Sequence, residues 1–470
     1  MKLTLASYIA GVKAGTLKPR EVLDHYLAKA KEYNQSLNAF IRFHDGYTET
    51  HIDDFSEKLL HAAPIGVKDI ILTKGEVTSC ASNMLKDFVS PYSATCFEKL
   101  EAAGGLMIGK TNMDEFAMGG STENSAFGVT LNPYGTNRIP GGSSGWSAAA
   151  VAADLCIAAL GTDTGWSVRQ PAALCGIIGI KPTYGRVSRY GVQAMASSLD
   201  QVGVMTKTID DAKLLLRTIS GYDPKDSQSD KKADTWQFEN IDAKSLKIAL
   251  PKEALWAGLD AKVKQRLMDA VEKFRALWIT VDEVDLPILD AAVPIYYTLV
   301  PAEVSTNMAR FDGVRFGHQE TTFDHGDIMK YYEKVRTAGF GDEVKRRILL
   351  GTFVLSSANY EGYYLKAQTA RQQLKKEFST IFSKYDIILT PTAPTVAWKI
   401  GEKIDDPVAM YLEDLYTVPA NMAGIPAMSV PAGMLEDQWE MMPVGLQLMA
   451  NRREEEKLFA LGKLMESFDW

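Results

Sequence analysis

Three side chains in this sequence have the type and setting of reactive groups. Ser167 sits in "GTDTGWSVRQ" (161–170), a polar, glycine-bearing turn between two apolar runs, which is how chains often present a nucleophile. Ser143 lies in "PGGSSGWSAAAVAA" (140–153), a glycine- and serine-rich element that runs into alanines. Lys68, in "APIGVKDIILTKG", stands between two apolar runs, whereas most lysines here lie in charged helical segments. A serine hydroxyl attacks an acyl carbon only when a base takes its proton. None of the six histidines, His25, His44, His51, His61, His318 and His325, sits in a glycine-rich turn or an evident strand end. A Ser-His-Asp arrangement is therefore not supported. Lysine is the other candidate base: burial disfavours the ammonium and lowers its pKa from about 10.4 by up to several units. The local patterns leave alternatives open. Gly141-Gly142-Ser143-Ser144-Gly145 fits G-x-S-x-G, but that elbow needs a strand directly before it, and "NPYGTNRIP" is polar and proline-broken. A serine-capped helix N-terminus accounts for the same residues, and a strand-edge lysine reaching for water accounts for Lys68.

Groups like these need a frame to hold them. Residues 20–32 place Val22, Leu23, Tyr26, Leu27 and Ala30 on one helical face. Further helices are expected near 93–104, 147–154, 209–220, 261–277, 342–358, 361–382 and 452–468. Short apolar runs read as strands at 106–109, 156–160, 177–180, 247–250, 387–390, 427–431 and 444–450. Strands interleaved with helices predict an α/β fold around a mostly buried sheet. The polar, glycine-rich region 115–147 reads as a set of functional loops. The least hydrophobic stretch, 221–245, reads as an exposed connection between two lobes of one fold. The chain has 470 residues and a net charge of −8, which argues against a nucleic-acid surface as its main purpose. No run approaches the roughly 20 apolar residues of a membrane helix. The N-terminus lacks the pattern of a signal or transit peptide. Cys80, Cys96, Cys156 and Cys175 have no zinc or disulfide spacing and read as buried thiols of a cytoplasmic protein.

Taken together, the elements resemble the amidase signature family. Lys68 in "GVKD", Ser143 in "GGSSG" and Ser167 in "GTDTGWSVRQPAALCGIIGIKPTYGRVS" match that family's Lys–Ser–Ser motif in order and at its long spacing. Within the family, "GKTNMDEFAMGGSTENSAFGVTLNP", "AEVSTNMARFDGVRFG" and "YLEDLYTVPANMAGIPAMSVPAG" resemble the A subunits of glutamyl/aspartyl-tRNA amidotransferases, over essentially the whole chain. The resemblance implies one domain over 1–470, with a central mixed β-sheet covered by helices on both faces. It implies that Ser167 attacks the side-chain amide of glutamine, and that Ser143, after a cis peptide, relays the proton to Lys68. The backbone N–H groups of Thr164, Gly165, Trp166 and Ser167 would line the oxyanion hole. Arg347 in "EVKRRILLGT" would bind the substrate α-carboxylate and Asp414 in "YLEDLYT" its α-amino group. A guanidinium pairs bidentately with a carboxylate, although without the resemblance both residues read as helix-surface ion pairs. The same resemblance implies no metal or cofactor in this chain. ATP and Mg2+ would be used by a partner, the B subunit, which holds the mischarged tRNA, and a small C subunit would complete a cytoplasmic heterotrimer. That complex would amidate Glu-tRNA(Gln), Asp-tRNA(Asn) or both. A stand-alone amidase on another carboxamide and a catalytically silent scaffold are the alternatives.

The chain departs from the family pattern where it has Gly145-Trp146-Ser147 and Gly165-Trp166-Ser167 in place of Gly-Gly-Ser, and at Trp278, where relatives turn into a strand with glycine. Adaptation, decay to a scaffold, and UGA glycine codons read as tryptophan are the three explanations. A tryptophan carries about 200 Å2 of aromatic surface into what is otherwise tight backbone, which favours the third. The other tryptophans carry no such signal in the sequence.

Overall fold

The apolar runs pair into one sheet. In the computed structural model, which describes residues 2–135, 137–232, 241–320 and 327–470, eleven strands are joined in it. They are β1 (Phe40–Phe43), β2 (Ala63–Lys68), β3 (Gly105–Thr111), β4 (Ala158–Asp163), β5 (Ile178–Lys181), β6 (Gln201–Thr206), β7 (Lys247–Pro251), β8 (Thr280–Val284), β9 (Ile387–Pro391), β10 (Ala427–Asp437) and β11 (Glu440–Ala450). The order across the sheet is β1-β3-β2-β4-β6-β5-β10-β11-β9-β7-β8. β2 runs parallel to both β3 and β4, β7 runs parallel to β8 and β9, and the remaining pairings are antiparallel. The sheet is therefore mixed, as expected, and helices flank it. Among the described residues no helix is long and apolar enough to cross a membrane, and all four cysteines are buried and free.

Each of the seven apolar runs read as strands lies in or overlaps a strand. β1, β2, β6 and β8 were not anticipated. β2 carries Pro64 and Gly66, both disfavoured in strands, yet every one of its residues is buried and it pairs on both sides. β8 lies at the sheet edge and is mostly solvent-facing, so it shows no apolar run. The long helix Ala292–Met308 was missed for the opposite reason: it is buried nearly all round, leaving no stripe to read, and it contains Pro301. Gly351, on the helix Asp342–Leu355, crosses it so closely that a Cβ there would lie 1.8 Å from the Pro301 carbonyl oxygen. That contact fixes two walls of the site described below.

The stretch 221–245 is described except for 233–240, which lies outside the described residues. Its first part is tied to the body of the protein. Asp223 accepts from Thr95 Oγ1 and Ser188 Oγ at 2.6 Å each, and Asp226 and Asp230 pair with Arg189 and Arg453.

Candidate active site

Two neighbouring parallel strands bring the reactive groups together. Lys68 is the last residue of β2, and the segment 164–167 leaves the end of β4 beside it. Crevices at the carboxyl ends of parallel strands are where such sheets place ligands. Ser143 and Ser144 come from the start of the short helix Gly145–Ala152, which packs on both strands. The Gly142–Ser143 peptide is cis. Gly142 has no room for a side chain, because a Cβ would lie 2.2 Å from Asp114 Oδ2 and 2.8 Å from the Ser121 nitrogen.

Lys68 is completely buried. Its Nζ makes hydrogen bonds with Ser143 Oγ (2.8 Å), Ser144 Oγ (2.7 Å) and Thr162 Oγ1 (3.0 Å). Among the described residues no carboxylate forms an ion pair with it. Burial lowers its pKa to about 7, against the opposing pull of the more distant Asp114, Asp163 and Asp200 carboxylates. The lysine thus sits among hydroxyls as an amine that is substantially neutral near pH 7. Asp114, also buried, is pushed up to about 7 itself by burial, while it accepts the Thr122 and Asn124 N–H groups of the polar loop.

Ser167 is nearly buried and joins this pair through the backbone: the Ser144 N–H donates to the Ser167 carbonyl at 3.1 Å. Its Oγ makes no hydrogen bond to Ser143 or Lys68 among the described residues. The turn around it has a particular asymmetry. The Gly165 carbonyl accepts Arg169 Nη2 (2.7 Å), the Trp166 carbonyl accepts the Gln170 N–H (2.9 Å), and the Ser167 carbonyl is used as above. The N–H groups of residues 164–167, by contrast, donate to no protein acceptor among the described residues. Clustered unpaired buried N–H groups are costly and rare, and here they form a set of donors beside a serine hydroxyl. The turn is held by a buried ion pair: Asp163 accepts the Val168 N–H (3.1 Å) and pairs with Arg169 at 2.9 Å, both side chains fully enclosed. Gln170 then braces the neighbouring segments, accepting the Gly142 N–H (3.0 Å) and donating to the Gly120 carbonyl (3.1 Å).

One side of the site opens into a pocket lined by Gly120, Trp166, Tyr297, Glu343, Arg347 and Asp414, among others. Arg347 and Asp414 are not surface ion-pair residues: they are 2% and 1% exposed. Arg347 Nε donates to Glu343 Oε1 (2.8 Å), and Tyr297 Oη donates to Asp414 Oδ2 (2.8 Å). Arg347 Nη1, Asp414 Oδ1 and Tyr296 Oη are buried with no partner among the described residues. A cationic donor and an anionic acceptor left unsatisfied in one pocket suit a zwitterion. Burial raises the Asp414 carboxyl well above its usual range. Among the described residues, no group of three or more His, Cys, Asp or Glu is placed to hold a metal ion.

Trp166 enters the same pocket. Its ring is stacked against Tyr297 (6.2 Å between centroids), edge-on to Tyr296 (5.4 Å), and 6.0 Å from the Arg347 guanidinium. Its Nε1 donates to the Gly119 carbonyl at 3.2 Å. Sequence reasoning missed several participants: Ser144, Thr162, Asp114, Gln170, Tyr296, Tyr297 and Glu343. Only Ser144, adjacent to Ser143 in the same motif, offered a local signal.

Three comparisons bear on this geometry. The model of the family described as Amidase matches residues 21–459. The A subunit of the glutamyl-tRNA(Gln) amidotransferase of Thermodesulfovibrio yellowstonii is 47% identical, over 99% of this chain and 97% of its own length. The protein of the same name from Coxiella burnetii is 47% identical over 99% and 98%. The crystal structure of the glutamyl-tRNA(Gln) amidotransferase A subunit from Thermotoga maritima superposes with a TM-score of 0.80 at 38% identity, covering 99% of this chain and 94% of that one.

Proposed function

The chain belongs to the amidase family, and we propose that it is the glutamine-hydrolysing subunit of a tRNA-dependent amidotransferase. The observation that carries this reading is that two features adjoin at the Trp166–Ser167 turn. A buried lysine with no carboxylate partner among the described residues lies on Ser143 beside Ser167, and a pocket next to them ends in unsatisfied Arg347 and Asp414 atoms. Arg347 takes the α-carboxylate of glutamine and Asp414 its α-ammonium, so the side-chain carboxamide extends toward Ser167.

Ser167 Oγ bonds to the amide carbon as its proton passes to Ser143, whose own proton passes to the neutral Lys68 amine. The carbonyl oxygen takes up the electron pair among the N–H groups of Thr164, Gly165, Trp166 and Ser167. When that pair returns, the carbon–nitrogen bond breaks, and the proton held by Lys68 goes back through Ser143 to the departing ammonia. Water then displaces Ser167 from the glutamyl ester by the same proton route and releases glutamate.

Ammonia is consumed by the rest of the assembly. A partner B subunit holds Glu-tRNA(Gln), Asp-tRNA(Asn) or both and activates the carboxylate with ATP and Mg2+, a C subunit completes the heterotrimer, and the complex works in the cytoplasm. This chain itself takes no cofactor. The test is amidation of mischarged tRNA by the assembled complex with glutamine as donor. Ser167→Ala abolishes glutamine-supported amidation, and ammonium salts restore it. Failure of glutamine to support amidation by the complex isolated from the protein's own cells would end this reading. One observation favours a silent scaffold instead: the Trp166 indole occupies the pocket that glutamine would need.

A further inference from the structure

Two tryptophans stand where the backbone takes a glycine conformation. The helix Ala261–Ala276 ends in a Schellman turn, with the Ile279 N–H on the Phe274 carbonyl (3.1 Å) and the Trp278 N–H on the Arg275 carbonyl (3.0 Å). Trp278 is the residue after the cap, at φ +64, the position that glycine usually fills. The second is Trp439. β10 and β11 are joined by Gln438 and Trp439 alone, with Asp437 paired to Glu440 and φ values of +48 and +70. Two positive φ values in a two-residue hairpin define a type I′ turn, whose second position strongly favours glycine. A side chain in this left-handed region costs about 1–2 kcal/mol, and neither indole recovers that by burial. Trp278 and Trp439 are 93% and 94% exposed, whereas the next most exposed large apolar side chain among the described residues is Leu349 at 71%.

The other two departures are buried in the site. Trp146 is fully enclosed in the first turn of the helix that follows Ser143, and its indole N–H has no acceptor. Trp166 stands between Ser167 and Arg347 and leaves a cavity of about 40 Å3. By the measure in which one water needs about 10–15 Å3, that holds a few waters and no amino acid. Meanwhile Arg347 Nη1 and Asp414 Oδ1 remain unpartnered around it among the described residues. Trp398 shares the unpartnered buried N–H of Trp146, but it has no positive φ and lies outside the site, where it packs with Ile139, Leu174 and Met442 and Lys403 lies 4.4 Å over its ring.

We infer that positions 146, 166, 278 and 439 are glycine in the working protein, each encoded by UGA under a code that reads it as glycine, and that glycine at 166 opens the pocket to its substrate. The first part stands on backbone conformation at 278 and 439 and, at 146 and 166, on the departure from Gly-Gly-Ser together with the filled pocket, and the second rests on the glutamine reading of the site. Position 439 is the new member of the set, since nothing in the residues around it marks it.

Peptide mass spectrometry of the protein from its own cells, across 141–169, 274–282 and 436–442, reads the four residues directly. Glycine at all four and tryptophan at 398 are expected. Tryptophan at any of the four, or UGG codons there, would overturn the inference. A recombinant pair in complex with the partner subunits, one unaltered and one carrying W146G and W166G, tests the pocket. A gain of about 100-fold or more in glutamine hydrolysis is expected, the scale of effect that misplaced reacting groups produce; equal rates would overturn the second part. Glycine by mass together with no glutamine hydrolysis by the W146G/W166G complex would instead remove the functional reading and leave the residue assignment standing.

Discussion

If Lys68 is the base, the rate of glutamine hydrolysis must follow the protonation of one buried amine. The structure gives that amine a pKa of about 7, lowered by burial among hydroxyls. The sign follows from the role. A base works unprotonated, so activity is present above about pH 7 and is lost as pH falls through it. With a pKa of about 7 the neutral fraction is about 9% at pH 6 and about 91% at pH 8, so kcat/KM should rise roughly tenfold between them. An unperturbed lysine would still be rising at pH 9. The assay is ammonia release from glutamine at limiting substrate by the assembled complex, carrying at position 166 the residue the native protein has. Two variants sharpen it. Lys68→Arg cannot deprotonate and should lose about 10²- to 10⁴-fold, with an unchanged urea midpoint showing that the fold survives. Asp114→Asn removes a charge that holds the Lys68 pKa up, so the rising limb should move to lower pH. Asp163 and Asp200 act on Lys68 in the same direction, and Asp200 is itself raised by burial to about 6. A profile flat from pH 6 to 9, or one that Asp114→Asn moves to higher pH, would refute this assignment of the base.

Three further outcomes follow from contacts in the site. Arg347→Lys should raise KM for glutamine at least about tenfold with a smaller change in kcat, because an ammonium lacks the rigid planar fork that holds Glu343 through Nε while Nη1 stays free for the substrate. Asp163→Ala should destabilise the protein by about 3–5 kcal/mol in chemical denaturation, since it strands the buried Arg169 guanidinium. Gly351→Ala, with its Cβ driven against the Pro301 carbonyl, should cost about 1–3 kcal/mol. It should also raise KM more than it lowers kcat, because it separates the helices that carry Arg347 and the Tyr296–Tyr297 pair.

Much of this protein could be read from its residues, and the exceptions have physical causes. The α/β sheet followed from short apolar runs between amphipathic helices, and its mixed character from the resemblance. It stayed incomplete where pairing on both sides overrode Pro64 and Gly66 in β2, and where β8 met water at the edge. Lys68, Ser143 and Ser167 stood out because a lysine between apolar runs and serines in glycine-rich turns are unusual settings. Arg347 and Asp414 did not stand out by themselves, since nothing local distinguishes a buried charge from one on a helix surface; only the resemblance pointed to them. Tyr297 and Glu343 reach the pocket through the crossing of two helices, a long-range relation with no local pattern. Trp439 was invisible for a related reason: a left-handed turn residue is defined by its φ and by the strand pairing around it, and both belong to the folded chain.

The central claim is that Ser167 takes the acyl group of glutamine. Rapid quenching of the assembled complex during turnover, followed by digestion and mass spectrometry, addresses it directly. The account predicts a glutamyl ester on the Ser167 peptide, absent from Ser167→Ala, whose ammonia release falls to background. A glutamyl adduct on any other residue, or undiminished ammonia release by Ser167→Ala, would contradict it.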